Sequence, residues 1–159
     1  MDDAQLLVLE LGSKGYSCAQ MVLIGGLRLM GRDNPDLVRA MSGLAQGVGL
    51  SGEICGALAG GACLIGLHTG KGLDSEESLP EGQVLMDELL QWFREELCQG
   101  GSVTCDAILG TAEDCAKGDA SCRGMDPARC GALVAATWSK AVTLLAQADI
   151  YPAQGREVL

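Results

Sequence analysis

The chain has 159 residues, a net charge of −10 and eight cysteines, and 48% of its residues are hydrophobic although only 3% are aromatic. This length and composition predict one globular domain, residues 1–159, with a core of aliphatic residues, methionine and cysteine. The negative charge would repel phosphate backbones and anionic lipid surfaces, which excludes nucleic acid and such membranes as favoured partners.

Apolar residues recur with the 3.6-residue period of a helix along nearly the whole chain, and no run of four or more residues alternates as a strand does. Helix starts are indicated by Ser17, by Asn34 before Pro35 and by Asp126 before Pro127. In chain order, the pattern predicts helices at about residues 4–11, 17–30, 34–41, 51–66, 83–97 and 126–148, with a short helical turn from residue 105. The expected fold is therefore an all-α, bundle-like domain of about five to seven helices.

Two segments between the helices are predicted to be turns or loops. The stretch "GVGLSGE" is a glycine-rich turn, and "HTGKGLDSEESLPEG" is a polar surface loop. His68, the only histidine, begins that loop and is expected to be solvated. In the fourth helix, Gly56 and Gly60 lie four residues apart, which favours close contact with another helix.

The location expected for the chain makes its cysteine content unusual. The start, "MDDAQLLVLELGSKG", lacks the basic region of a secretory signal, and the longest apolar run, Ile54–Leu67, is too short to span a bilayer. A cytoplasmic location without membrane insertion is the expectation that follows. Thiols in that compartment stay reduced unless they perform redox or metal chemistry, so eight cysteines need a reason.

Four cysteines share a position at the start of a predicted helix. Cys18 follows Ser17, Cys105 follows a threonine, and the other two lie about a turn after a helix start; the set is Cys18, Cys55, Cys105 and Cys130. Free N–H donors and the helix dipole at such a position lower the pKa of a thiol and stabilise the thiolate. The sulfur ligands of a metal cluster need the same stabilisation, because several thiolates repel one another.

The remaining four cysteines have simpler interpretations. Cys63 is about 12 Å further along the same helix than Cys55, so it is expected to fill the core rather than to join a small cluster. Cys98 lies near a helix C-terminus, where the dipole has the opposite sign, and is expected to be structural. For Cys115 and Cys122, three readings stay open: a labile disulfide, additional ligands, or incidental exposed thiols.

The cysteines and their surroundings resemble a family of redox-active proteins named for its C_GCAxxG_C_C pattern. The segments that carry the resemblance are "YSCAQMVL", "CGALAG", "TCDAILG" and "CGALVAAT", and it spans about residues 15–146. A similar domain is part of the split-Soret di-haem cytochromes, although this chain has no Cys-x-x-Cys-His haem motif. The resemblance implies a helical domain in which Cys18, Cys55, Cys105 and Cys130 gather at one redox or metal centre.

Four thiolates without a useful histidine form a soft ligand set that suits iron–sulfur clusters or zinc. The redox context implied by the resemblance favours an iron–sulfur cluster, [2Fe–2S] or similar, that transfers electrons to a partner protein. A thiol–disulfide centre without metal is the second reading, and structural zinc is the third. The sequence has no other acid, base or phosphate site, so it leaves open whether the protein is an enzyme. Small residues in the Cys55 helix and the shortage of aromatics predict a homodimer.

Overall fold

The structure is a computed structural model that describes residues 2–109 and 127–150. Within these ranges the chain forms seven α-helices: α1 Asp3–Ser13, α2 Cys18–Leu29, α3 Pro35–Met41, α4 Gly56–Thr69, α5 Glu81–Trp92, α6 Cys105–Leu109 and α7 Pro127–Gln147. A 3₁₀ turn, Ser42–Leu44, follows α3, and a π-helical turn, Phe93–Leu97, follows α5. Extended pairing in the described part is limited to one β-bridge, between Ile54 and Thr104, so the all-α expectation is confirmed.

The helix starts predicted from capping residues are confirmed where the structure describes them. Ser17 precedes α2, and its N–H donates a 3.0 Å hydrogen bond to Oε1 of Gln20. Asn34 precedes α3, and its Oδ1 accepts a 3.0 Å hydrogen bond from the N–H of the third helical residue. Asp126 lies outside the described residues. These local signals therefore determine where α2 and α3 begin.

The predicted start of the fourth helix at Ser51 or Gly52 is wrong, because the helix begins at Gly56. Five successive residues, Gln46–Leu50, have positive φ angles, and so does Gly52. This left-handed turn closes on itself through hydrogen bonds, of which Gly52 N–H to Gln46 O, at 3.1 Å, is one. The expected glycine-rich turn is thus confirmed, but it extends further and leaves Cys55 as the residue that caps α4.

Helix α4 lies at the centre of the fold and packs against α2, α5 and α7, while α1 packs against α2 and α7. A Cβ atom built on Gly60 would lie 2.9 Å from the carbonyl oxygen of Ala19 in α2. On another side of α4, a Cβ atom on Gly61 would lie 2.9 Å from side-chain carbons of Leu89 and Thr137. The close helix contact expected from the glycines of α4 is therefore confirmed. The most deeply buried side chains include Leu11, Val22, Leu64, Ile65, Leu89, Phe93, Val134, Leu144 and Leu145.

For two side chains of α4, the solvent exposure is the opposite of the prediction. Cys63 is exposed rather than in the core, and His68 is only 2% exposed rather than solvated. Helix α4 is apolar around its whole circumference, so its sequence does not indicate which face is buried. It also continues to Thr69, which places His68 in its last turn instead of in the following loop.

The polar segment after α4 is a surface loop, as predicted, because residues 71–80 are nearly all exposed. Glu76 organises part of this loop, since its Oε2 accepts hydrogen bonds of 2.7 and 3.1 Å from the N–H groups of Gly72 and Leu73. None of the helices that the structure describes has the length and hydrophobicity needed to cross a bilayer.

Candidate functional site

The four cysteines singled out by their position line one cavity of about 700 Å³. Each comes from a different element: Cys18 begins α2, Cys55 caps α4, Cys105 begins α6 and Cys130 lies in the first turn of α7. The cavity thus lies where the N-terminal ends of four helices meet. The sequence indicated this shared position, but the distances between the helices arise only from the packing of the whole chain.

Backbone pairing joins the segments that carry Cys55 and Cys105. The N–H of Cys55 donates to the carbonyl of Val103 at 2.9 Å, and the N–H of Cys105 donates to the carbonyl of Glu53 at 2.5 Å. Next to this bridge, the N–H of Asp106 donates to the carbonyl of Gly52 at 3.0 Å. Two cysteines that are 50 positions apart in sequence are therefore held beside each other by main-chain hydrogen bonds.

Gly56 brings Cys18 close to the start of α4. A Cβ atom on Gly56 would overlap the sulfur of Cys18 and would lie 2.9 Å from the carbonyl oxygen of Leu44. The absence of a side chain at Gly56 therefore leaves the space that the Cys18 sulfur occupies. The glycine that follows Cys55 in the "CGALAG" segment has a direct steric role in the cavity.

The described residues around the cavity include no Asp, Glu, Lys, Arg or His. Most of the wall is aliphatic or glycine, and its polar side chains other than the thiols are Ser13, Tyr16, Ser17 and Gln46. The Ser17 Oγ atom is buried and has no hydrogen-bond partner among the described residues. The sequence indicated Ser17 only as a capping residue, whereas Tyr16 and Gln46 reach the wall through the packing of distant segments.

The environment of Cys55 opposes ionisation of its thiol. Burial raises the pKa of Cys55 to about 12, and the neighbouring Cys18 and Cys105 thiols act in the same direction. The backbone N–H groups of Leu58 and Ala57, at the start of α4, lower the pKa by less. The expectation of a lowered Cys55 pKa is therefore wrong, because desolvation of the thiolate exceeds the effect of the helix terminus.

The described residues contain no group of three or more His, Cys, Asp or Glu side chains that could hold a metal ion. None of the six described cysteines forms a disulfide. The four thiols thus share a cavity without the close arrangement that binds a single ion. Their assignment as ligands stays a prediction.

The remaining cysteines lie elsewhere or outside the described residues. Cys63 is on the exposed side of α4 and does not line the cavity. Cys98 follows the π-helical turn, as its predicted place near a helix C-terminus requires, and is half-buried against the core. Burial raises the pKa of Cys98, while Arg129 and Arg94 act in the opposite direction. Cys115 and Cys122 lie outside the described residues, so their three readings stay open.

Comparison with known proteins identifies a family that the chain matches over most of its length. The model of a family described as "Putative redox-active protein (C_GCAxxG_C_C)" matches residues 16–144. The matched range contains all eight cysteines, among them the four of the cavity, and covers most of the chain. No curated protein and no solved structure shows a significant match to the chain.

Proposed function

Because the chain belongs to the C_GCAxxG_C_C family of redox-active proteins, we propose that it is an electron-transfer protein with an iron–sulfur cluster in the cavity. The proposed ligands are Cys18, Cys55, Cys105 and Cys130. The observation that carries this proposal is that thiols from four helix starts line one cavity without a charged side chain among its described residues.

The chemistry of the cavity suits such a group. Sulfur is the donor that iron–sulfur clusters take in proteins, and the one histidine, His68, does not line the cavity. When bound, the cluster would supply a one-electron couple whose potential depends on its net charge, its solvent exposure and the hydrogen bonds to its sulfur atoms. The N–H groups of Ala57 and Leu58, which favour the Cys55 thiolate, would stabilise negative charge on that sulfur.

The protein itself would hold the cysteine ligands in position and limit the access of water to the cavity. The bridge between Ile54 and Thr104 fixes the separation of the Cys55 and Cys105 segments. Gly56 allows the Cys18 sulfur to approach α4. The aliphatic wall, which includes Met21 and Ile108, limits access of water to Cys55, whereas the other three cysteines of the cavity are partly exposed.

A thiol–disulfide centre formed by the same cysteines is the second candidate. It is supported by the finding that no three ligand side chains in the described part are arranged to hold one metal ion. Structural zinc is the least favoured reading for the same reason, since tetrahedral zinc requires four sulfurs roughly 4 Å apart. A cluster of several metal atoms requires less crowding of its ligands than a single ion does.

The visible spectrum of protein purified without oxygen distinguishes these functions. An iron–sulfur protein is coloured, contains iron and sulfide, and bleaches when it is reduced. Cys55→Ser should abolish or shift the absorption, because a serine oxygen is a harder ligand and is not readily deprotonated. Cys63→Ser is the matched control, since Cys63 is exposed and outside the cavity, and it should leave the spectrum unchanged.

A colourless protein without iron would contradict the cluster. If such a protein then lost two free thiols on mild oxidation, with Cys55 among them, the thiol–disulfide function would replace it. Variants of Cys115 and Cys122 complete the series, because an unchanged spectrum in both would confine the centre to the four cavity cysteines.

A further inference from the structure

A second concave surface, separate from the cysteine positions, combines positive charge with an apolar floor. It is a groove of about 640 Å³ between the end of α1, α2 and α3. Four basic side chains line it: Lys14, Arg28, Arg32 and Arg39. These are half of the eight Lys and Arg residues in the described ranges. In a chain of net charge −10, such a concentration makes the groove a place within the described ranges where an anion would be attracted.

Three of the four cations already have acidic partners. Glu10 accepts two hydrogen bonds from Arg28, of 2.7 and 2.9 Å, and also pairs with Lys14. Arg39 pairs with Asp36. Arg32 has no ion pair with any residue that the structure describes.

The groove therefore has a small net positive charge that is available to an anionic ligand. Three acidic side chains offset the four cations. Asp33 lines the groove, and Glu10 and Asp36 pair with cations that line it. Four positive charges less three negative ones leave a net charge of one for the groove, and Arg32 is the cation there without an ion pair among the described residues. The pair of Arg39 with Asp36 is strongly exposed, with side-chain accessibilities of 73% and 92%. Such a pair has little net stability, so Arg39 can turn from Asp36 to an anion at small cost.

The floor of the groove is apolar. Ile24, Leu27 and Val38 line it and belong to the hydrophobic clusters beneath. Gln20 is fixed at the wall by a 3.0 Å hydrogen bond from its Nε2 to the carbonyl of Val38. A cavity of this size matches a small organic molecule rather than a macromolecular surface.

We propose that this groove binds an organic phosphate, with the phosphate on Arg32 and Arg39 and its apolar part on Ile24, Leu27 and Val38. Guanidinium groups suit the role because they bind phosphate oxygens through paired N–H donors. Tyr16 lines both the groove and the cysteine cavity. Tyr16 is therefore a residue that the bound molecule would share with the cysteine cavity.

Isothermal titration calorimetry at low ionic strength with 1-naphthyl phosphate tests the proposal on the protein as purified. Inorganic phosphate and 1-naphthol are titrated separately as controls, because inorganic phosphate is the charged part of the probe alone and 1-naphthol is its apolar part alone. We expect 1-naphthyl phosphate to bind at least tenfold more tightly than either part. R32Q should weaken its binding at least fivefold, because it removes the cation of the groove that has no ion pair with any described residue.

R94Q is the matched control, since it makes the same change of charge at an exposed arginine outside the groove. It should retain the affinity of the unmodified protein. Absence of measurable binding of 1-naphthyl phosphate at millimolar concentration would overturn the proposal. So would equal affinities of R32Q and R94Q, or binding of 1-naphthol as tight as that of its phosphate. Both variants should keep the visible spectrum of the unmodified protein, which separates this test from that of the cysteine centre.

Discussion

The sulfur of Cys18 lies against the α-carbon of Gly56, in the space that any side chain at position 56 would fill. Cys18 begins α2, whereas Gly56 begins α4 directly after Cys55. This contact is the point at which the two helices bring their N-terminal ends together. It makes position 56 the most direct means of moving one thiol of the cavity without replacing a cysteine.

Gly56→Ala should displace the Cys18 sulfur, because the added methyl group overlaps it and also meets the carbonyl of Leu44. We expect a loss of stability of about 1–3 kcal/mol from overpacking. We also expect an altered rate of alkylation of Cys18 in metal-free protein, measured by mass spectrometry, together with a changed visible spectrum if a cluster is present.

Gly61→Ala is the control for that variant. Its methyl group meets side-chain carbons of Leu89 and Thr137 on another side of α4, so it should lower stability without changing the reactivity of Cys18. Equal Cys18 alkylation rates in the two variants would contradict a specific role of Gly56 in the cavity.

In metal-free protein near pH 8, iodoacetamide should modify Cys63 much faster than Cys55. Cys63 is exposed, whereas Cys55 is 7% exposed and has its pKa raised to about 12 by burial. At pH 8 only about one Cys55 thiol in 10⁴ would be ionised, and the thiolate is the reactive form. Mass spectrometry of peptides over time measures both rates. In denaturant the two rates should converge, and a Cys55 rate equal to that of Cys63 in folded protein would show that the cavity is open to solvent.

The ion pairs of Glu10 should make stability depend on pH in the acid range. Hydrogen bonds from Arg28 and Lys14 lower the pKa of Glu10 from 4.5 to about 2. Because the folded-state pKa is depressed, the stabilisation is complete above about pH 4.5 and is lost as the pH falls toward 2.

Chemical denaturation of the unmodified protein and Glu10→Gln between pH 2 and 6 measures this contribution. The difference in free energy of unfolding should be largest at pH 6, shrink toward pH 2, and decrease at high salt because the pair is exposed. A difference that is independent of pH would show that Glu10 stabilises the protein through packing rather than charge.

Val48→Gly should stabilise the protein by about 1 kcal/mol. Val48 has a φ angle of +63°, a conformation that costs an L-residue roughly 1–2 kcal/mol and that glycine adopts freely. Its side chain is 47% exposed, so little packing is lost. The midpoint of urea denaturation should rise, and Val84→Gly, at an exposed position within α5, should lower it. A lower midpoint for Val48→Gly would mean that the side chain has contacts in the folded protein that outweigh the backbone strain.

The sequence predicted those parts of the structure that depend on local signals. Ser17 and Asn34 correctly indicated the starts of α2 and α3, because the hydrogen bonds involved are local. The Oδ1 of Asn34 accepts from the N–H of Leu37, and the N–H of Ser17 donates to the side chain of Gln20. The helical period gave the all-α class for the same reason. The position of four cysteines near helix starts could also be predicted from the sequence, since that prediction depends only on where the helices begin.

What the sequence could not predict depends on contacts between distant residues. The left-handed turn at residues 46–50 includes Val48 and Leu50, whose residue types disfavour positive φ angles. The burial of Cys55, which reverses the expected direction of its pKa shift, requires the placement of α6 and α7 around α4. The exposure of Cys63 could not be foreseen because every face of α4 is apolar.

The bridge between Ile54 and Thr104 also has a consequence for the order of events during synthesis. Residues 18–69, which contain α2 and α4, are synthesised before Val103, and the packing of these two helices brings Cys18 against Gly56 in the finished fold. The carbonyl of Val103 that holds Cys55 is made later, and Cys130 later still. For part of its synthesis, the nascent chain therefore contains Cys18 and Cys55 without Cys105 and Cys130. The cavity that the four thiols line is complete only when α7, the last helix of the described chain, has been made.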